Sequence, residues 1–346
     1  MRGIRGHRSL PLMLLTAAAV SACGGGGGGG DSSGTGTLSV GITDAARYDV
    51  YQVVVRFTAV TVKPKNGGQQ RFEINPEATP PGKSVDLMQL TGGDYEQLLQ
   101  DQELPIGEYE WVGLEVVDDD TGLSNYVRVD LRGLQEPLEV PNNSRAGLRL
   151  VSGFTILANQ STEFMIDWDL NKALTYPRNG DGIWKLRPAL RITDKAEYGR
   201  IEGTVNPSLF RDISECAYDD LEDEGNAVYA FAVPAGVDFA DVEVDDIDDE
   251  PTDGENPYAT ALVKHDVVAD LYSYSFEYMG LGDYKLAFTC EAARDEADFN
   301  DTDEALDALG EQSIEGDPIT FTVLDVPVTV INTEGNGQTT TAPEFL

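Results

Sequence analysis

The sequence predicts an all-β protein: two β-sandwich-like domains in tandem, behind a signal peptide and a Gly-rich linker. Three observations carry that prediction. Apolar residues recur with period two on both sides of residue 199, the spacing of strands with one buried and one wet face. Clusters of Asn, Gly and Pro interrupt those runs at short intervals. The charge is also partitioned. Of a net −37 over 346 residues, −30 falls between Gly199 and Gly335, where 35 acids face five bases. The boundaries that follow are 1–22 for the signal, 23–36 for a tether, 37–194 for the first sandwich, 199–333 for the second and 334–346 for a flexible tail.

The N-terminus has three parts. Arginines stand at positions 2, 5 and 8, an apolar run follows from Leu10 to Val20, and Ser21 and Ala22 precede Cys23. This is the pattern of a secretory signal, and the run is too short to span a bilayer. "VSAC" resembles the lipobox of bacterial lipoproteins. The resemblance implies a Cys23 that becomes the acylated first residue and holds the chain to a membrane through its acyl chains. One chain binds only marginally, and two or more anchor stably. Gly24 follows where an Asp would imply retention in an inner membrane, so the resemblance implies export to the cell envelope and anchorage in the outer membrane.

Seven glycines follow Cys23. A phosphate loop needs G-x-x-x-x-G-K-[ST] ahead of a helix, and no Lys follows. Gly26 to Asp31 fits a calcium-binding Gly-Asp repeat, but such repeats work in stacked arrays and this is a single copy. A flexible coil remains. The 14 steps from Cys23 to Thr37 span about 20 Å.

In the first folded segment, Tyr51, Val53, Val55, Phe57 and Ala59 form one face of "YQVVVRFTAVTV". Val127, Val129 and Leu131 share a side, and Phe164, Ile166, Trp168 and Leu170 point inward in "EFMIDWDL". Asn66-Gly67-Gly68 and Pro80-Pro81-Gly82 read as turns, and Asp94 to Gln100 as one short helix. Strands with one polar face disfavour a buried parallel sheet. Six ordered segments, "LSVGITDA", "VVVRFTAVTVKP", "KSVDLMQLTGG", "LPIGEYEWVGLEV", "GLRLVSGFTI" and "WKLRPALRI", resemble the bacterial lipoprotein domain of unknown function DUF4382. The resemblance implies a secreted or surface-anchored β-rich domain and brings no catalytic residues. Asp44 in "ITDA" reads as a turn-forming Asp rather than a cation ligand, and Asp118–Asp120 as a solvated hairpin tip.

The second segment repeats the alternation. Tyr229, Phe231 and Val233, then Tyr272, Tyr274, Phe276 and Tyr278, then Ile319, Phe321 and Val323, then Val326, Val328 and Val330 mark its strands. "GRIEGTV", "AVYAFAV" and "GLGDYKLAFTC" resemble the carboxypeptidase-regulatory or transthyretin-like sandwich. This chain departs from it at "FTC" and in the acidic insert from Asp238 to Asn256. Cys216 and Cys290 form an even pair in an exported chain and read as a disulfide.

Two acidic segments suit weak calcium binding, which wants six to eight oxygens. One offers Asp245, Asp246, Asp248 and Asp249, the other Asp298, Asn300, Asp301, Asp303 and Glu304. The second fails the EF-hand template, with Asp303 where Gly is required and Leu309 where the bidentate Glu belongs. A solvated charge run is the competing explanation.

The acidic balance excludes nucleic acid, whose phosphates are bound by Lys and Arg. Beyond the signal, one histidine remains, His265, and no G-x-S-x-G accompanies it. Zinc would need clustered His or Cys, which are lacking. The expected function is a non-catalytic, lipid-anchored envelope protein whose sandwiches bind or adhere. A glycan- or envelope-protein-binding accessory role comes second and a carboxylate-dependent hydrolase third.

Overall fold

The computed structural model describes residues 34–45, 47, 49–117, 124–140, 148–150, 153–175, 183–212, 225–247, 256–293, 295, 319–332 and 337–346. The first sandwich is built from β1 (Thr35–Ala45), β2 (Gln52–Pro64), β3 (Gln70–Glu73), β4 (Lys83–Asp86), β5 (Glu96–Pro105), β6 (Gly107–Val116), β7 (Tyr126–Arg128), β8 (Glu136–Glu139), β9 (Leu148–Leu150), β10 (Phe154–Ile156), β11 (Ser161–Asp169), β12 (Leu174–Thr175), β13 (Trp184–Leu186) and β14 (Leu190–Asp194). The second holds β15 (Tyr198–Val205), β16 (Ala227–Ala232), β17 (Ala259–Leu262), β18 (Lys264–Asp266), β19 (Leu271–Gly280), β20 (Gly282–Thr289), β21 (Thr322–Val323), β22 (Val328–Val330) and β23 (Gln338–Thr341). Two short helices, α1 (Leu170–Ala173) and α2 (Pro207–Asp212), complete the frame.

In the first sandwich a sheet ordered β14-β11-β1-β5 faces a larger one ordered β10-β6-β2-β7-β8-β13-β12. β1 runs parallel to β11 and antiparallel to β5. The inner faces meet in one apolar core, with Leu38, Val40 and Ile42 of β1 and Phe164, Ile166 and Trp168 of β11 packed against Val53, Val55 and Phe57 of β2.

Alternation misleads at specific places. In β2 the pairing with β6 shifts register between Phe57 and Ala59. A bulge adds a residue and moves the inward phase from odd to even positions. Val60 and Val62 therefore join the core in place of Ala59, and Tyr51 at the strand's start is exposed. β7 ends at Arg128, so Val129 and Leu131 lie outside it and are exposed. The helix expected over 94–100 is instead β5, an edge strand on β1 with Leu98 and Leu99 both buried. Seven residues cannot offset the cost of helix nucleation, and the open edge of β1 supplies backbone partners instead.

In the second sandwich a sheet ordered β18-β19-β15-β23 faces one ordered β17-β16-β20-β21. Tyr272, Tyr274 and Phe276 of β19 point into its core with Ile201, Leu286 and Phe288. The Tyr274 ring lies over Gly203, where a Cβ would sit 2.3 Å from the Tyr274 hydroxyl, so only glycine fits there. On β16, Val228 and Ala230 face this core, while Tyr229 and Phe231 fill a smaller cluster on the other side. Val326 and Val323 are exposed. The expected tail is not one in its described residues. β23 runs parallel to β15, and Phe345 is fully buried among Tyr274 and Phe288.

Cys290 lies just past β20, buried on the face of Leu286 and Phe288. Cys216 lies outside the described residues, as do Asp118–Asp120. If the two cysteines are joined, both should react with a thiol reagent only after reduction. The cross-link over that 74-residue span would stabilise by about 4 kcal/mol. Full labelling of the native, unreduced protein contradicts it.

Candidate functional site, a cleft between the sandwiches

Residues 34–346 form one compact unit, because the outer face of the β1 sheet is not left to water. On β11 the residues between the core positions, Asp167 and Asp169, point away from the core and are buried beneath the second sandwich. Arg191, directly across from Asp167 on β14, pairs with its carboxylate. The same guanidinium donates to the Glu277 carbonyl at 3.3 Å and to Met279 Sδ at 3.1 Å, and it lies 4.6 Å over the Tyr258 ring. Asp169 caps α1 by accepting from the Asn171 N–H, and it also accepts the Thr260 N–H at 3.1 Å. Lys172 donates to the Pro257 and Tyr258 carbonyls, and Thr193 to the Tyr278 carbonyl at 2.9 Å.

Beside this junction opens a cleft of about 380 Å³. One wall comes from two segments far apart in sequence. The Thr43 hydroxyl donates to the Leu90 and Asp94 carbonyls, which fixes the Thr91–Gly93 turn beside Asp44. "ITDA" and "LTGG" thus meet at the cleft. Gly93 has a φ of +93°, and a Cβ there would crowd the Glu277 carboxylate at 3.3 Å. The other wall is the outer face of β15 and β19, where register sets Glu202 opposite Ser275 and Thr204 opposite Ser273. Arg200 Nε lies 3.0 Å from Glu277 Oε1.

Burial pushes the Glu277 carboxyl above its ordinary 4.5, against the pull of Arg200. Asp86 and Asp167 are raised likewise, each through burial first. Burial also raises the Tyr278 hydroxyl, to about 12. For Glu277 and Asp86 the folded value exceeds the unfolded one, so folding favours the protonated form. That contribution is present below the ordinary carboxyl value and is lost as pH rises through the raised one. The thermal midpoint should fall as pH rises from the ordinary carboxyl range toward neutrality, and Glu277→Gln should flatten the slope. A midpoint rising over that range contradicts the assignment.

The residues singled out from sequence fall elsewhere or take other roles. Asp44 is not in a turn; it is the penultimate residue of β1, buried, and accepts the Leu170 N–H at 3.3 Å. Cys23, Asp248, Asp249, Asp298, Asn300, Asp301, Asp303 and Glu304 lie outside the described residues. Asp245 and Asp246 are described, and Asp245 accepts the Asp246 N–H. Among the described residues no group of three His, Cys, Asp or Glu is placed to hold a metal. Asp295 is buried and accepts both the Tyr229 hydroxyl and the Ile247 N–H, so it ties the feet of the two acidic segments together. His265 stacks on Tyr272 and contacts Asp270 at 3.1 Å. Among the described residues no helix is long and apolar enough to cross a membrane.

Fold and cleft together define a two-sandwich, all-β protein with a groove at the seam lined by charged, hydroxyl-bearing and apolar side chains. Residues 35–188 match the family described as domain of unknown function DUF4382. That match takes in Thr43, Asp44, Thr91 and Asp167, while Arg191 and the second sandwich lie beyond it. No curated protein matches the chain at a significant level. Among solved structures, a candidate adhesin from Bacteroides ovatus is 9% identical and covers 73% of this chain and 78% of its own, with a TM-score of 0.19. The major pilin from Streptococcus pyogenes is 11% identical over 73% and 82%, with a TM-score of 0.16. Likeness this slight carries no argument.

Proposed function

We propose that this chain is a non-catalytic, lipid-anchored protein of the cell envelope, held in the outer membrane through Cys23, that binds its ligand in the cleft between the sandwiches. The observation that carries this reading is the cleft itself. Four acids, three bases and seven serines and threonines line it, drawn from both sandwiches. Its volume lies within the roughly 300–1,000 Å³ of small-ligand sites. The second sandwich is proposed as a transthyretin-like module, a reading its two facing sheets support.

The test uses the full chain. Wild-type protein should be retained on immobilised envelope carbohydrate or envelope protein, and Arg200→Glu, which repels Glu277, should not. Equal retention of both contradicts the site. Cys23→Ser should move the protein from the membrane to the soluble fraction, and an uncut, membrane-bound mutant contradicts the anchor. Calcium is proposed for the acidic segments. Millimolar calcium should raise the thermal midpoint relative to chelator, and no shift contradicts it.

A further inference from the structure

We infer that the cleft is built for a neutral, polyhydroxylated ligand, a sugar unit of a glycan; this deepens the binding reading above and rests on it. Strand register carries the inference. Lys264, Ser273 and Thr204 are laterally paired across β18, β19 and β15. Ser275, Glu202 and Thr341 are paired likewise across β19, β15 and β23. Paired residues share a face, so these six form two parallel rungs on the cleft wall. Lateral neighbours stand about 4.8 Å apart, and the rungs about 6.7 Å apart.

Each rung mixes hydroxyls, which both donate and accept, with one fixed charge: an ammonium in the first and a carboxylate in the second. The rung formed by Thr43, Asp167 and Arg191 across β1, β11 and β14 reaches the cleft from the other side. A ring carrying several hydroxyls uses donors and acceptors side by side, and this surface offers both at fixed spacing.

The charges select against the alternatives. An anion would meet four acids, two of them, Glu202 and Glu277, in the segment of net charge −30. A cation would meet Lys264, Arg200 and Arg191. Arg200 with Glu277 and Arg191 with Asp167 are already paired, so a charged ligand would have to break ion pairs that a neutral polyol leaves intact. Lys264 is exposed, and Glu202, whose carboxylate lies 4.0 Å from Arg200 Nε, is half-buried with its side chain still open to a ligand.

Titration calorimetry of the full chain with maltose, cellobiose and chitobiose, and with glucuronate and a tri-lysine peptide as charged probes, tests the inference. At least one neutral disaccharide should bind. Glu202→Gln and Ser273→Ala, both on the half-buried outer face, should each weaken it about tenfold while leaving the thermal midpoint unchanged. Binding of a charged probe alone, lost in the same variants, overturns the neutral-polyol inference while the cleft survives as a site. Sugar binding that neither variant affects, or no binding by any probe, overturns the inference as well.

Discussion

Arg191→Ala should destabilise the protein by about 3–5 kcal/mol, read as a shift of the denaturant midpoint with unchanged slope. The reason is what the guanidinium leaves behind. Asp167 would be a buried carboxylate without its cation, which is the costly way to break a buried pair. The links to the Glu277 carbonyl, Met279 and the Tyr258 ring would go at the same time, and all three lie in the second sandwich. Arg191→Lys should recover little, because a single ammonium cannot reach Asp167 and stack on Tyr258 while donating to two further groups. Replacing both partners, Arg191→Met with Asp167→Leu, should recover most of the loss, since no charge is then stranded. A change under about 0.5 kcal/mol for Arg191→Ala contradicts the junction's role.

Phe345→Ala should cost about 3–5 kcal/mol, the range for removing a fully buried phenylalanine. The ring fills space between Tyr274 and Phe288, and the backbone on either side is pinned. Phe345 donates to the Thr204 carbonyl at 3.1 Å and accepts from the Asn206 N–H at 2.9 Å. The cavity cannot collapse easily, because Tyr274 already leans on Gly203. Phe345→Leu should lose less than half as much, as it keeps apolar volume. A variant with wild-type stability contradicts the placement of the C-terminus in the core.

Much of the fold was legible in the sequence where period two is undisturbed. Phe164, Ile166, Trp168 and Leu170 point inward as their alternation requires. The signal failed where a bulge changed its phase at Phe57–Ala59, and where a β-strand edge captured Glu96–Pro105. It failed again at Phe345, in the short "APEFL" that follows a polar run, where no periodicity exists to read.

The site was not legible for a different reason. Asp167 and Asp169 alternate with core residues just as solvent-facing acids do, and sequence does not say whether the second face meets water or another sheet. Asp44 was noticed, but a turn and a strand end beside a junction look alike in "ITDA". Ser273, Ser275 and Glu277 read as the wet side of a tyrosine ladder, and they are half-buried at the cleft wall. Cross-strand register is tertiary information, and it is what assembles the rungs.

The central claim is that two sandwiches share one polar junction and so form a single body with a cleft at its seam. Differential scanning calorimetry of the full wild-type chain tests it most directly. One cooperative transition is predicted, with calorimetric and van't Hoff enthalpies equal. Two resolved transitions in the wild-type chain, each with the enthalpy of an independent sandwich, would contradict it.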